Sequence, residues 1–209
     1  MNPLERKFQI LADTWRKGLR EETKRSAIAF FILILLTFGA CLLFPQLREM
    51  LVERVVQLFG SLEITSGGGL PAMTLFSNNL RACVFTMIYG MFPFIHLSAF
   101  ALGMNAMLLG VMAAYHAAGG SSLLVFLASL LPHSLFELPA LILAFGMGLY
   151  TCDQITRRWK HDPESISAFD SLAMIGWLLM LVQIPLLAAA AYLEANVTPF
   201  CFLLFYNLT

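Results

Sequence analysis

The sequence predicts an all-α fold: a polytopic membrane helical bundle of about five spans with amphipathic interfacial helices. Three observations predict it. Of 209 residues, 59% are hydrophobic and only 12% are charged, whereas a soluble domain carries about 25% charged residues. Mean hydropathy is +0.76. The apolar residues also gather into runs of spanning length instead of spreading evenly along the chain. The net charge of zero leaves no global basic field to attract nucleic acid. Cys41, Cys83, Cys152 and Cys201 are too scattered for a disulfide framework or a zinc spacing.

Residues 1–25 read as a cytoplasmic, basic amphipathic helix. Leu4, Phe8, Leu11, Trp15 and Leu19 recur at spacings of four and three, with Arg6, Lys7, Arg16, Lys17, Arg20, Lys24 and Arg25 mostly off that stripe. Such a helix suits a membrane surface, and a protein partner is the alternative. It is too polar for the apolar core of a signal peptide, so the first apolar run is expected to stay as an anchor.

The transmembrane bundle is expected over residues 26–193. Span 1 covers 26–44 and stops before Pro45. Residues 46–60 form a second amphipathic helix, with Leu47, Leu51, Val55 and Leu58 on one face; it is too short and too charged to cross. Residues 66–71, Ser-Gly-Gly-Gly-Leu-Pro, are a flexible break. Span 2 covers 72–92 and carries Asn78, Asn79 and Arg81; Pro93 ends or kinks it. Span 3 covers 94–117, with Asn105 near its middle, and residues 119–122 are a loop. Span 4, residues 123–150, is long and is expected to be broken near Pro132 and Pro139. A polar loop fills 151–170, span 5 covers 171–193, and 194–209 is an apolar extracytoplasmic tail too short to span. The seven basic residues before span 1, with Arg157, Arg158 and Lys160 after span 4, set the N-terminus inside and the C-terminus outside the cell membrane.

The intramembrane polar set is Asn78, Asn79, Arg81, Asn105, His133 and Glu137. His133 and Glu137 are four residues apart, which places them on one helical face. An ionised side chain at mid-bilayer costs about 2.5–3.5 kcal/mol on insertion scales, so such groups satisfy each other or act. Arg81 cannot shed its charge. It lies about as far below the outer surface as Glu137, so a buried Arg81–Glu137 pair is expected, with His133 one turn nearer the outside. Three readings follow. The cluster can be interhelical glue, the leading one. It can be a proton relay or substrate path. It can supply a metal site or a metal-dependent intramembrane hydrolase, but His133 and Glu137 give only two ligands, no third has helpful spacing, and H-E-x-x-H is absent. No catalytic residue, metal or cofactor is therefore assigned.

Small residues recur every four positions: Ala106, Gly110 and Ala114 on span 3, and Ala140, Ala144 and Gly148 on span 4. They allow close approach of backbones. The expected use is packing of spans 3 and 4 against each other, and a homodimer seam is the alternative.

The order Phe76-Ser77-Asn78-Asn79-Leu80-Arg81, then Gly90, then Asn105 with Gly110, then Pro132-His133 with Glu137-Leu138-Pro139-Ala140 resembles the stage II sporulation protein M family over residues 26–193. The family usually has glycine where Ala106 and Ser134 stand here; both replacements are small. The resemblance implies a multi-span membrane protein without known catalysis. It implies a scaffold for septal engulfment during sporulation, anchoring peptidoglycan-degrading enzymes of the stage II sporulation protein D and P type. Members also occur in organisms that form no spores. The rival reading, from the residues alone, is a small transporter or proton-coupled carrier working through His133 and Glu137.

Overall fold

The computed structural model describes Glu5, Gln9 and residues 12–59, 72–119 and 123–206. Every regular element among them is a helix: α1 (Arg20–Leu43), α2 (Pro45–Phe59), α3 (Ala72–Tyr89), α4 (Leu97–Ala118), α5 (Leu123–Trp159), α6 (Ala168–Leu178), α7 (Ile184–Asn196) and α8 (Thr198–Tyr206). Two π-helical turns join this set: Trp15–Leu19 leads into α1, and Leu179–Gln183 links α6 to α7. Four runs are long and apolar enough to cross a membrane: Ala12–Leu43, Leu97–Ala118, Leu123–Trp159 and Ala168–Asn196. The remaining expected span is α3. Asn78, Asn79 and Arg81 lower its hydropathy, yet it packs along α5 and α7 inside the bundle.

α5 is the central column and touches α1, α3, α4, α7 and α8. Ala140, Ala144, Phe145, Met147 and Cys152 on it are fully buried. This position explains a departure from expectation. Pro132 and Pro139 lie inside one uninterrupted helix of 37 residues and do not break it. Each proline deletes one helical hydrogen bond. Surrounding helices hold the segment straight enough to continue, as neighbours commonly do for prolines inside a bundle.

The small residues make the closest approaches, but with partners other than those expected. A Cβ on Gly110 would stand 2.8 Å from the Ile34 carbonyl oxygen, so the α4 stripe opposes α1. A Cβ on Gly90 would overlap the Gly148 carbonyl oxygen and stand 2.8 Å from the Gly148 Cα. Gly148 in turn abuts Thr86 and Ser98, and a Cβ on Gly146 would stand 2.7 Å from the Thr23 Cα. The α5 small residues therefore seat α1, α3 and the start of α4. Ala106, Ala114, Ala140 and Ala144 are fully buried within the chain, which removes them from any seam between copies.

α3 and α4 are joined by a tight turn that contains Pro93. Phe94 and His96 take left-handed φ values of 67° and 50°. The turn is pinned to α5: the Phe94 N–H donates to Thr156 Oγ1 at 3.1 Å, and Cys152 Sγ donates to the Phe92 carbonyl at 3.3 Å. Ser98 Oγ donates to the Thr86 carbonyl across the same turn at 2.7 Å.

At the same end, Arg157 donates to Asp162 Oδ2 at 2.7 Å, and the Glu164 N–H donates to Asp162 Oδ1 at 3.0 Å. The Glu164 N–H and then the Arg157 guanidinium hold the Asp162 carboxyl below its ordinary range. Ser167 caps α6 by accepting from the Asp170 N–H at 3.1 Å. The N-terminal segment docks here too. Thr14 Oγ1 lies 2.9 Å from Met174 Sδ, and Leu19 is buried in the main core. Leu4, Phe8 and Leu11 lie outside the described residues, as do the breaks at 60–71 and 120–122.

α2 folds back along α4, with Leu51 and Val52 against Val111, Ala114 and Cys41. The expected apolar face thus meets protein. The tail also folds back: α8 packs on α5 and α7.

Pro185 explains the π-turn before α7. It has no N–H to give the preceding turn, and a widened turn absorbs the loss. Gln183, fully buried there, donates from Nε2 to the Ala140 carbonyl at 2.9 Å, while its Oε1 has no partner. Gln183→Leu keeps the volume and removes the unmatched acceptor, so it is expected to change stability by less than about 1 kcal/mol. Gln183→Ala leaves a cavity and is expected to cost about 2–3 kcal/mol. Thermal denaturation in detergent compares the two; equal losses would show that the hydrogen bond, not the packing, matters.

Candidate functional site

Four helices converge where α7 ends and α8 begins. His133 and Glu137 come from α5, one turn apart. His133 Nε2 lies 4.0 Å from Glu137 Oε2. Glu194, in the last turn of α7, completes a group: its carboxylate, that of Glu137 and a His133 ring nitrogen all lie within 4.8 Å of one another. Thr198, at the start of α8, places Oγ1 3.2 Å from His133 Nδ1. From α3, Asn79 hydrogen-bonds to the Glu137 carboxylate. His133 is 9% exposed, so the ring sits inside the bundle.

The structure sorts the six expected polar residues into three sets. Asn79, His133 and Glu137 meet. Asn78 and Arg81 are exposed on the opposite side of α3, and no ion pair joins Arg81 to Glu137 among the described residues. This overturns the expected pair. The reason is rotation about the helix axis. Asn79 shares its face with the buried Cys83 and Met87, four and eight residues on, whereas Arg81 is turned by roughly 200° from Asn79 at 100° per residue. Asn105 is elsewhere. It donates to the Ala101 carbonyl at 2.8 Å and lines a cleft of about 230 Å³ between α2 and α4 with Leu51, Arg54 and Val111.

Two members of the cluster were not expected from the sequence, Glu194 and Thr198. One signal for Glu194 was available: it is the sole charged residue after Asp170. The spacing rule could not find it, because it stands 57 residues from Glu137 (194 − 137) on another helix.

Chemically, the group offers one imidazole and two carboxylates at the end of an apolar bundle. Thr198 Oγ1 meets the His133 ring at Nδ1, while the Glu137 carboxylate lies on the Nε2 side, 4.0 Å away. The arrangement fits cation or proton holding and interhelical fastening.

The family model for stage II sporulation protein M matches residues 26–199. No curated protein and no solved structure matches the chain.

Proposed function

We propose, from the premise that this chain belongs to the stage II sporulation protein M family, that it is a non-enzymatic membrane scaffold. It anchors or localises peptidoglycan-remodelling enzymes, as in septal engulfment during sporulation. Family membership supports a sporulation-related membrane protein. The observation that carries the finer reading is the use of the chain: the described residues form a bundle with short connections, leaving nothing the size of a soluble catalytic domain.

In this reading the N-terminus is cytoplasmic and the C-terminus extracytoplasmic. Support comes from the two basic segments lying at one end of the bundle, where Thr14 and Lys17 approach Ile166 and Asp170. The Glu194 end then faces outward. The partners are extracytoplasmic peptidoglycan hydrolases, of the stage II sporulation protein D and P type. They meet that end and the exposed face of α2, which carries Glu49, Met50, Glu53 and Val56. Cross-linking in native membranes followed by purification is expected to recover a cell-wall hydrolase. Glu49→Lys with Glu53→Lys should lower the yield while leaving the bundle folded. An eluate without any such enzyme counts against the scaffold.

The cluster supports a second reading, a proton-coupled carrier. Vesicles containing the purified chain are expected to hold an imposed pH gradient as long as protein-free vesicles do. A gradient that collapses with the wild-type chain and survives with Glu137→Gln would make the carrier the better account.

A further inference from the structure

Two carboxylates inside one helical bundle repel each other unless a cation or a proton lies between them. Arg81 does not serve Glu137 and Glu194, because it faces outward from α3. What faces the two carboxylates is His133. It is nine-tenths buried, and its Nδ1 has a partner in Thr198. Its Nε2 points at Glu137 over 4.0 Å, too long for a hydrogen bond. A ring nitrogen 4.0 Å from one carboxylate, in a group whose third member is a second carboxylate within 4.8 Å, is a ligand geometry.

We propose that His133, Glu137 and Glu194 bind a first-row divalent metal ion, with zinc as the probe, and that this ion ties the end of α7 and the start of α8 to α5.

Distance, charge and support agree. Two ligand atoms each about 2.1 Å from a tetrahedral zinc stand about 3.4 Å apart. The His133–Glu137 separation of 4.0 Å needs to close by about 0.6 Å, and the widest separation in the group, within 4.8 Å, by up to about 1.4 Å. Two carboxylates, a neutral imidazole and a divalent cation sum to zero charge, which suits an apolar bundle. An imidazole with carboxylates favours a borderline transition metal over calcium or magnesium. Thr198 fixes the ring through the nitrogen that does not ligate, and Asn79 orients the Glu137 carboxylate; both are the outer hydrogen bonds that metal ligands use. Three protein ligands leave a fourth position for water.

The full chain, purified in detergent, stripped with a chelator, reloaded with zinc and desalted, is expected to keep about one zinc per chain. His133→Ala and Glu194→Gln should each weaken binding at least about tenfold. Glu164→Gln, on the loop at the other end, should bind as the wild type does. Zinc should raise the melting temperature of the wild type and not of Glu194→Gln. X-ray absorption on the wild-type complex should show nitrogen and oxygen neighbours, including one imidazole, and this measurement stands even where a variant fails to fold. Sulfur neighbours, zinc retention equal in wild type and the Glu137→Gln/Glu194→Gln double variant, or a wild type that keeps no zinc would each overturn the assignment. The last result would leave a shared proton as the cation.

Discussion

Gly90→Ala and Gly148→Ala are each expected to destabilise the chain by about 3 kcal/mol, the upper part of the range for overpacked sites. A methyl on Gly90 overlaps the Gly148 carbonyl oxygen, and one on Gly148 stands 2.6 Å from the Thr86 carbonyl oxygen. At Gly90 every obstacle is a backbone atom; at Gly148 the Ser98 side chain is in the way as well, and rotating it still leaves the Thr86 carbonyl oxygen. α3 must back away from α5, which loosens the contact that carries Asn79 to Glu137. Gly103, Gly39 and Gly176 are the contrast: a Cβ on any of them meets nothing within 4 Å. Gly103→Ala, in the interior of α4, is expected to stabilise by about 0.5–1 kcal/mol through helix propensity. Thermal denaturation in detergent would order the variants. Equal melting temperatures for Gly90→Ala and Gly103→Ala would remove the close contact as the source of bundle stability.

Gly18→Ala is expected to release the N-terminal segment. Gly18 has φ +147° and ψ −24°, a conformation that residues with a Cβ avoid, inside the π-turn that leads into α1. The added methyl also meets the Tyr150 ring at 3.1 Å. Strain of this kind costs about 1–3 kcal/mol. The fold sheds it by undocking the segment that places Thr14 on Met174. Tryptic cleavage at Arg16 or Lys17 should then run about tenfold faster, the equivalent of about 1.4 kcal/mol of local opening. Cleavage at the wild-type rate would show that the kink does not depend on glycine. Gly39→Ala, near the far end of α1 where a Cβ meets nothing within 4 Å, should be cut as slowly as wild type.

The candidate site was partly legible. His133 and Glu137 announce themselves by being polar, four apart and surrounded by apolar residues. The depth of Asn79 and Arg81 was legible as well, because rise per residue is constant along a helix. Their facing differs from the charge-based expectation, and the sequence carries its signal: Cys83 and Met87 continue the Asn79 face, while Phe85 and Ile88 continue the exposed Arg81 side. Charge complementarity favoured Arg81 as the partner of Glu137, and helical rotation overruled it. The prolines depart from expectation for a related reason. A proline disrupts a helix by a known local amount, but whether the helix then breaks depends on how many neighbours hold it.

Composition and apolar clustering by themselves determined the all-α membrane class and most helix positions; the ordered motifs from Phe76 to Ala140 carried the family resemblance, and residue identity set the chemical types that a site could use. Those are local properties, set by hydropathy, periodicity and residue identity. Tertiary structure alone decided which helices touch. It seated Gly110 on α1 instead of α5, buried α5 as the central column, and folded α8 back so that Thr198 reaches His133. Above all, it brought Glu194 to Glu137. Side chains on different helices meet through the packing of whole helix faces, and that sum over many weak contacts is not written in the spacing of any one segment.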